Sequence, residues 1–299
     1  MIEIRKLPAS AGAEWLLGGI SLLRRAPWAL GRLGLLWGLA TLIAMFLGAL
    51  HPTLGMLAQL LMALAGPLLF GGLVWAAREV DQGRSAEPAH LLQGLHGSRA
   101  PNLLVALLPQ AVVGVTLALL AVAVIGTDGM AQLNDVMNQL NALSQSATRP
   151  DPTQVEELVA TLPALRILAW LLLVAVGVVA VSLTLFLFAP QVMFDGRNGV
   201  AAIGHGLRAC LHNLPAMLVF FVLAFLAMFA FYFALTLVLL VLQPMVGTVM
   251  SALIMQVLLM AVLPTAIAGI VYVAWKQMFV HADDAASAVP APPSNVFVA

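Results

Sequence analysis

LGLLWGLATLIAMFLGALHPTLGMLAQLLMALAGPLLFGGLVWAA, residues 33–77, contains no Asp, Glu, Lys or Arg and one obvious break, His51-Pro52-Thr53. A helix rises about 1.5 Å per residue, so about 20 apolar residues cross a hydrocarbon core of about 30 Å. The stretch is long enough for two crossings, a first span at about 33–50 and a second at about 54–77, hinged at the His-Pro-Thr turn. Lipid offers no partner to backbone N–H and C=O groups, so each crossing must be a helix. The single-residue alternation of a membrane β-barrel is absent.

Outward from this hairpin, the same criterion finds a third span at about 103–125 and a fourth at about 167–189. A fifth follows at about 217–242 and a sixth at about 246–275, with Gln243-Pro244 between them. Composition agrees. The chain is 62% hydrophobic and 9% charged, against roughly 45–50% and about 25% in soluble domains. Thirteen basic and thirteen acidic residues cancel, so net charge points to no partner, nucleic acid included. The single cysteine, Cys210, excludes an internal disulfide and a multi-cysteine metal site. The opening MIEIRKLPAS is polar and does not read as a cleavable signal peptide. The expected fold is therefore all-α: one polytopic membrane domain over 1–280 and a disordered Ala/Pro/Ser-rich tail over 281–299.

Basic residues near the spans set orientation. Arg5, Lys6, Arg24, Arg25 and Arg32 precede the first span. Arg78, Arg84 and Arg99 lie between the second and third, Arg197 and Arg208 between the fourth and fifth, and Lys276 follows the sixth. These alternate connections hold 11 of the 13 basic residues, and the other side holds only Arg149 and Arg166. Both ends are expected on the cytoplasmic side. The one sizeable external connection, about 126–165, reads as two short helices. Met130, Leu133, Val136, Met137, Leu140 and Leu143 share a helical face. Asp151-Pro152-Thr153-Gln154 has the form of a capped helix start.

The cytoplasmic stretches resemble one another. GGISLLRRAPWAL (18–30), LLQGLHGSRAPNLL (91–104) and IGHGLRACLHNLPAML (203–218) each carry Gly and Leu, then basic or polar residues, then Pro27, Pro101 or Pro215 at the mouth of a span. Asp81-Gln82-Gly83-Arg84 matches Asp195-Gly196-Arg197. The spacing predicts a threefold repeat of interfacial helix plus transmembrane hairpin, at about 11–83, 84–196 and 197–280. Trp15, Leu16, Ile20, Leu23 and Trp28 suit a headgroup boundary. Arg24, Arg25, Arg99 and Arg208 are the candidate lipid-headgroup contacts.

The opening RKLPASAGAEWLLGGISLLRRAPW and the segment FAPQVMFDGRNGVAAIGHGLRACLHNLP resemble an uncharacterised family of proteobacterial multi-pass inner-membrane proteins. More distantly, the second segment resembles the membrane domain attached to some glycerophosphodiester phosphodiesterases. The resemblance implies a membrane fold and no site residues. The catalytic barrel of those phosphodiesterases has no counterpart here.

No ionisable residue falls in the middle of a span, which argues against proton-coupled transport, intramembrane proteolysis and electron transfer. His90, His96, His205 and His212 could in principle form a cytoplasmic metal site, but few carboxylates accompany them and interfacial placement is the better reading. Cys210 reads as an inert buried thiol. Pro67, Pro109 and Pro264 interrupt the second, third and sixth spans, as kinks or as breaks lining a pathway. Gly34 with Gly38, and Ala261 with Thr265 and Gly269, read as close helix contacts. The phenylalanines of the fifth span read as lipid-facing.

No catalytic, cofactor-binding or metal-binding residue is assigned, and no cofactor is expected. The expected function is non-enzymatic binding of membrane lipids or protein partners, or a homo-oligomer. One alternative is a transporter or channel for a neutral or amphiphilic substrate, with Gln59, Gln110, Ser182, Thr184 and Gln256 around a central cavity. The other is a lipid-acting enzyme.

Overall fold

The computed structural model describes residues 3–145 and 152–280. Its elements are β1 (Glu3–Ile4), α1 (Ala11–Arg25), α2 (Pro27–Leu50), α3 (Pro52–Asp81), a 3-10 helix (Pro88–Leu95), α4 (Arg99–Leu104), α5 (Leu107–Ile125), α6 (Thr127–Gln145), α7 (Pro152–Ala160), α8 (Ala164–Leu185), α9 (Phe188–Met193), α10 (Gly199–His212), α11 (Leu214–Val246), α12 (Thr248–Met278) and β2 (Phe279–Val280). Six stretches are long and apolar enough to cross a membrane: Pro27–Leu50, Pro52–Asp81, Arg99–Ile125, Ala164–Met193, Leu214–Val246 and Thr248–Met278. Their mean hydropathy is 2.0–2.8. They make the chain a multi-pass membrane protein.

All six expected spans are present, several starting earlier than expected. Pro27 stands at N1 of α2 and Pro52 at N1 of α3, where a missing N–H is harmless and φ is already helical. His51 is the extended residue between them, and its Nδ1 accepts from Thr53 N at 3.2 Å. The expected junction at Gln243-Pro244 is not there. Both residues continue α11, and the chain turns at Gly247, whose φ of +83° is open to glycine at little cost. Pro109 does not interrupt its span either. It lies in the first turn of α5, after a break at Val105-Ala106, whereas Pro67 and Pro264 do lie inside helices. The second pre-proline segment is a 3-10 helix, not the α-helix expected, with Pro88 at its start and Gly97 at φ +61° behind it.

The chain divides into two compact units, residues 1–107 with 184–299, and residues 108–183. In the first, α12 is the central helix and packs against α1, α2, α3 and α11. The expected small-residue stripes face each other there. A Cβ on Gly34 would lie 2.0 Å from the Ala261 carbonyl oxygen, and one on Gly19 would lie 2.5 Å from Ile270 N. Only glycine permits these helix axes to come so close. Trp15, expected at the interface, is instead fully buried: it packs on Phe186 and Phe220, and its Nε1 donates to Gln277 Oε1 at 2.8 Å. The large indole is needed to fill the corner between α1 and α11. Trp28 is the exposed tryptophan, at 85%. Phe225, Phe229 and Phe233 of α11 are exposed, as lipid contact requires, while Phe220 is buried. At the chain ends β1 pairs antiparallel with β2, Glu3 opposite Val280 and Ile4 opposite Phe279, and Arg5 N donates to Met278 O at 2.9 Å.

In the second unit α6 and α7 are the two short helices expected in the external connection. Val136 is buried on the inward face of α6, with Leu133, Leu140 and Leu143 half-buried and Met130 and Met137 exposed. The capping role expected of Asp151 lies outside the described residues, as does the tail 281–299. Trp170 Nε1 donates to Leu117 O at 3.3 Å, and Arg166 reaches the Ile125 carbonyl at the C-terminal end of α5, where a cation favours the helix dipole.

Candidate functional site

α3 ends in Arg78, Glu79, Val80 and Asp81, directly after the apolar stretch that reaches Ala77, and other charged residues gather at this end of the first unit. Asp81 Oδ2 accepts from the Tyr272 hydroxyl at 2.9 Å and from Lys276 Nζ at 2.8 Å, and Arg25 stands 4.0 Å from Oδ1. The ends of α1, α3 and α12 are thereby joined through one carboxylate. One turn apart on α12, Trp275 Nε1 donates to Asp195 Oδ2 at 3.2 Å. Glu79, 8% exposed, is paired with Arg84 in a two-point contact, and Arg84 also reaches Gln82. These pairs satisfy charge that the approach of the helices would otherwise bury alone.

Beside them is an aromatic and arginine stack. The guanidinium carbon of Arg78 lies 4.8 Å from the Phe194 ring centre and 5.6 Å from that of Trp75. Arg99 lies 4.8 Å from Trp75. Cation–π contacts of this kind are worth about 0.5–2 kcal/mol each. Between the start of α4 and the turn after α9 opens a cleft of about 180 Å³, lined by Ser98, Arg99, Asn102, Phe194, Gly196 and Arg197 among others. Gly196 has φ +62°, which lets the chain double back and present Arg197. The Arg197 Nε–H is buried and has no hydrogen-bond partner among the described residues.

The other buried side-chain polar atoms among the described residues are matched. Gln191, fully buried, donates to the carbonyls of Leu187 and Ala202 and meets His205 Nδ1 at 2.9 Å. His205 also stacks on Phe279 at 5.0 Å. Burial pulls its pKa below the ordinary histidine value, helped by Arg197 and Arg208 and opposed by Asp195. Asn213 accepts from Leu7 N at 2.7 Å and donates to Arg5 O and Ala209 O. Cys210 is buried, and burial pushes its thiol up to about 12, far from thiolate reactivity at neutral pH.

The candidate headgroup arginines have different surroundings. Arg24 and Arg25 are exposed in the last turn of α1, Arg25 facing Asp81, and Arg208 is exposed on α10. Arg99 is half-buried, with its guanidinium on Trp75 and at the cleft. Sequence reasoning did not single out Arg197 or Arg78 as site residues; the signal for Arg197 was the repeated Asp-(Gln)-Gly-Arg motif. The histidines expected on the cytoplasmic side are spread among local roles. His90 Nδ1 accepts from Glu87 N, His96 Nδ1 meets Leu92 O, and His212 is exposed. Among the described residues no group of three or more His, Cys, Asp or Glu is placed to hold a metal. Gln59 and Gln110, expected at a central cavity, are exposed on their helices, and Ser182, Thr184 and Gln256 are half-buried. No protein-family model, no curated protein and no solved structure matches the chain.

Proposed function

We propose that the chain is a non-enzymatic protein of a bacterial inner membrane, both termini cytoplasmic, that binds membrane lipid or partner proteins through its arginine-rich end. The observation that carries this reading is the gathering of Arg25, Arg78, Arg84, Arg99, Arg197 and Lys276 about the ends of α1, α3, α9 and α12. Exposed arginines beside an anionic leaflet contribute about 1 kcal/mol each. The pairing of β1 with β2 supports an even number of crossings, since it holds residues 3–4 and 279–280 together on one side of the membrane. The reading fits the proteobacterial family that the sequence resembles.

The same proposal includes the threefold repeat, which two sets of contacts support. The pre-proline glycines each seat on an even-numbered span: Gly94 on Leu68 of α3, Gly206 on Gln191 of α9, and Gly19 on Ile270 of α12. Each segment thus rests on the hairpin of the preceding repeat, and the third hairpin closes on the first segment. Two asparagines then act alike. Asn102 bonds its own Ser98 carbonyl and accepts from Gly199 N, and Asn213 bonds its own Ala209 carbonyl and accepts from Leu7 N.

Topology is tested by phosphatase fusions. A fusion after Thr153 is expected to be active and fusions after Arg84, Arg197 and His281 inactive; activity at His281 overturns the orientation. Binding is tested by identifying what the chain retains in gentle detergent. Anionic lipid or a specific protein is expected, and a chain retaining neither overturns the reading.

A further inference from the structure

We propose that the cleft between the Ser98-Arg99 start of α4 and the turn of residues 194–197 binds a phosphate group, carried by a phospholipid headgroup or by a soluble phosphate ester. The proposal rests on the lipid- or partner-binding reading above and names the ligand chemistry.

Two arginines, Arg99 and Arg197, line one small cleft, and none of its lining residues is a carboxylate. The nearest acid in sequence, Asp195, is turned to Trp275. Among the described residues neither arginine is in an ion pair. Other arginines here are matched differently: Arg84 pairs with Glu79 and Arg25 faces Asp81. The unmatched Arg197 Nε–H is the group that a planar, bidentate oxyanion would satisfy, together with a neighbouring Nη–H. Arg99 is pre-oriented, its guanidinium lying on Trp75 and one Nη–H reaching the Gln93 carbonyl at 3.5 Å. The Asn102 amide is already engaged by Ser98 O and Gly199 N. Among the lining residues that leaves Arg99, Arg197 and Ser98 as the side chains with donors for a ligand. Leu92 and Leu95 of the adjoining 3-10 helix are half exposed, giving an apolar neighbour to a basic cleft, the pairing a headgroup and its glycerol backbone require.

The test uses the full chain purified in neutral detergent. Binding is read as a ligand-induced rise in melting temperature with dioctanoyl phosphatidic acid, with sodium phosphate, and with dioctanoylglycerol as the phosphate-free control. The first two are expected to stabilise and the third not. Phosphatidic acid binding more than about tenfold tighter than phosphate assigns the site to a lipid headgroup, and comparable affinities assign it to a soluble ester. Arg99→Gln and Arg197→Gln are each expected to weaken binding about tenfold or more. Arg197→Lys, which keeps the charge and loses the fork, should weaken it too. Ser98→Asp, at an exposed position, puts a carboxylate into the cleft with both arginines in place and should abolish binding. Arg32→Gln, at an exposed arginine of α2 that reaches only the Trp28 carbonyl, should leave binding unchanged. The proposal is overturned if neither probe binds the wild type, if Arg197→Gln and Ser98→Asp bind as the wild type does, or if Arg32→Gln loses as much. Lipid retained equally by wild type and Arg197→Gln removes the cleft alone. A wild type that retains no lipid or partner removes the parent reading.

Discussion

Replacing Gly34 by Ala tests whether the contact of α2 with α12 organises the first unit. The added Cβ would meet the Ala261 carbonyl oxygen at 2.0 Å, its carbon at 2.6 Å and its Cα at 2.7 Å. Ordinary contact begins near 3.4 Å, so the two backbones must separate by about 1.4 Å. None of the three atoms can rotate away, because all are main chain within a hydrogen-bonded helix. Overpacking costs about 1–3 kcal/mol, and a clash against backbone belongs at the top of that range. At roughly 2–4 °C per kcal/mol for a chain of this size, about 3 kcal/mol lowers the melting temperature by roughly 6–12 °C. Gly31→Ala is the control. It lies one turn earlier on the same helix, and nothing stands within 4 Å of its added Cβ, so it should melt within about 4 °C of wild type, given a propensity effect below about 1 kcal/mol. The assay is thermal melting of detergent-solubilised protein followed by size-exclusion chromatography. Equal melting of the two variants would refute the reasoning.

The Asp81 junction should show a partner-specific coupling. In a double-mutant cycle with Asp81→Asn, Lys276→Gln is expected to couple by about 0.5–1 kcal/mol. The more distant and more exposed Arg25 should couple by close to zero with Arg25→Gln. Equal couplings would show that the geometry is not maintained. For His205 the folded pKa is depressed, so the folded state holds its proton less tightly than the unfolded chain. Its contribution to stability is complete above the ordinary histidine pKa and is lost as pH falls toward the depressed value. The drop in melting temperature from pH 8 to pH 5 should therefore be smaller in His205→Gln than in wild type, and an unchanged or larger drop in the variant would contradict the assignment.

The membrane class, the number of spans and the turn at His51 were legible in the sequence because each rests on a local quantity. A span is a length of uncharged apolar chain, and a bilayer imposes that length whatever the neighbours are. The facing of Gly34 by Ala261 was half legible. Spacing by four marked both stripes as contact surfaces, but a one-dimensional pattern cannot say which surface meets which. The Gln243-Pro244 junction failed for a related reason: proline near a helix end suggests a boundary, yet the turn went to Gly247, where positive φ is accessible.

What only the tertiary structure decided is which residues of similar type share surroundings. Trp15 and Trp28 are the same amphipathic residue near one helix junction, and packing buried the first and exposed the second. Arg99 and Arg197 are 98 positions apart in the chain, and only the contacts of α4 with α9 put them in one cleft. Burial of a span against lipid depends on its own composition and can be read from the sequence. Pairing of charges depends on distances between segments far apart in the chain, and only the folded unit sets those.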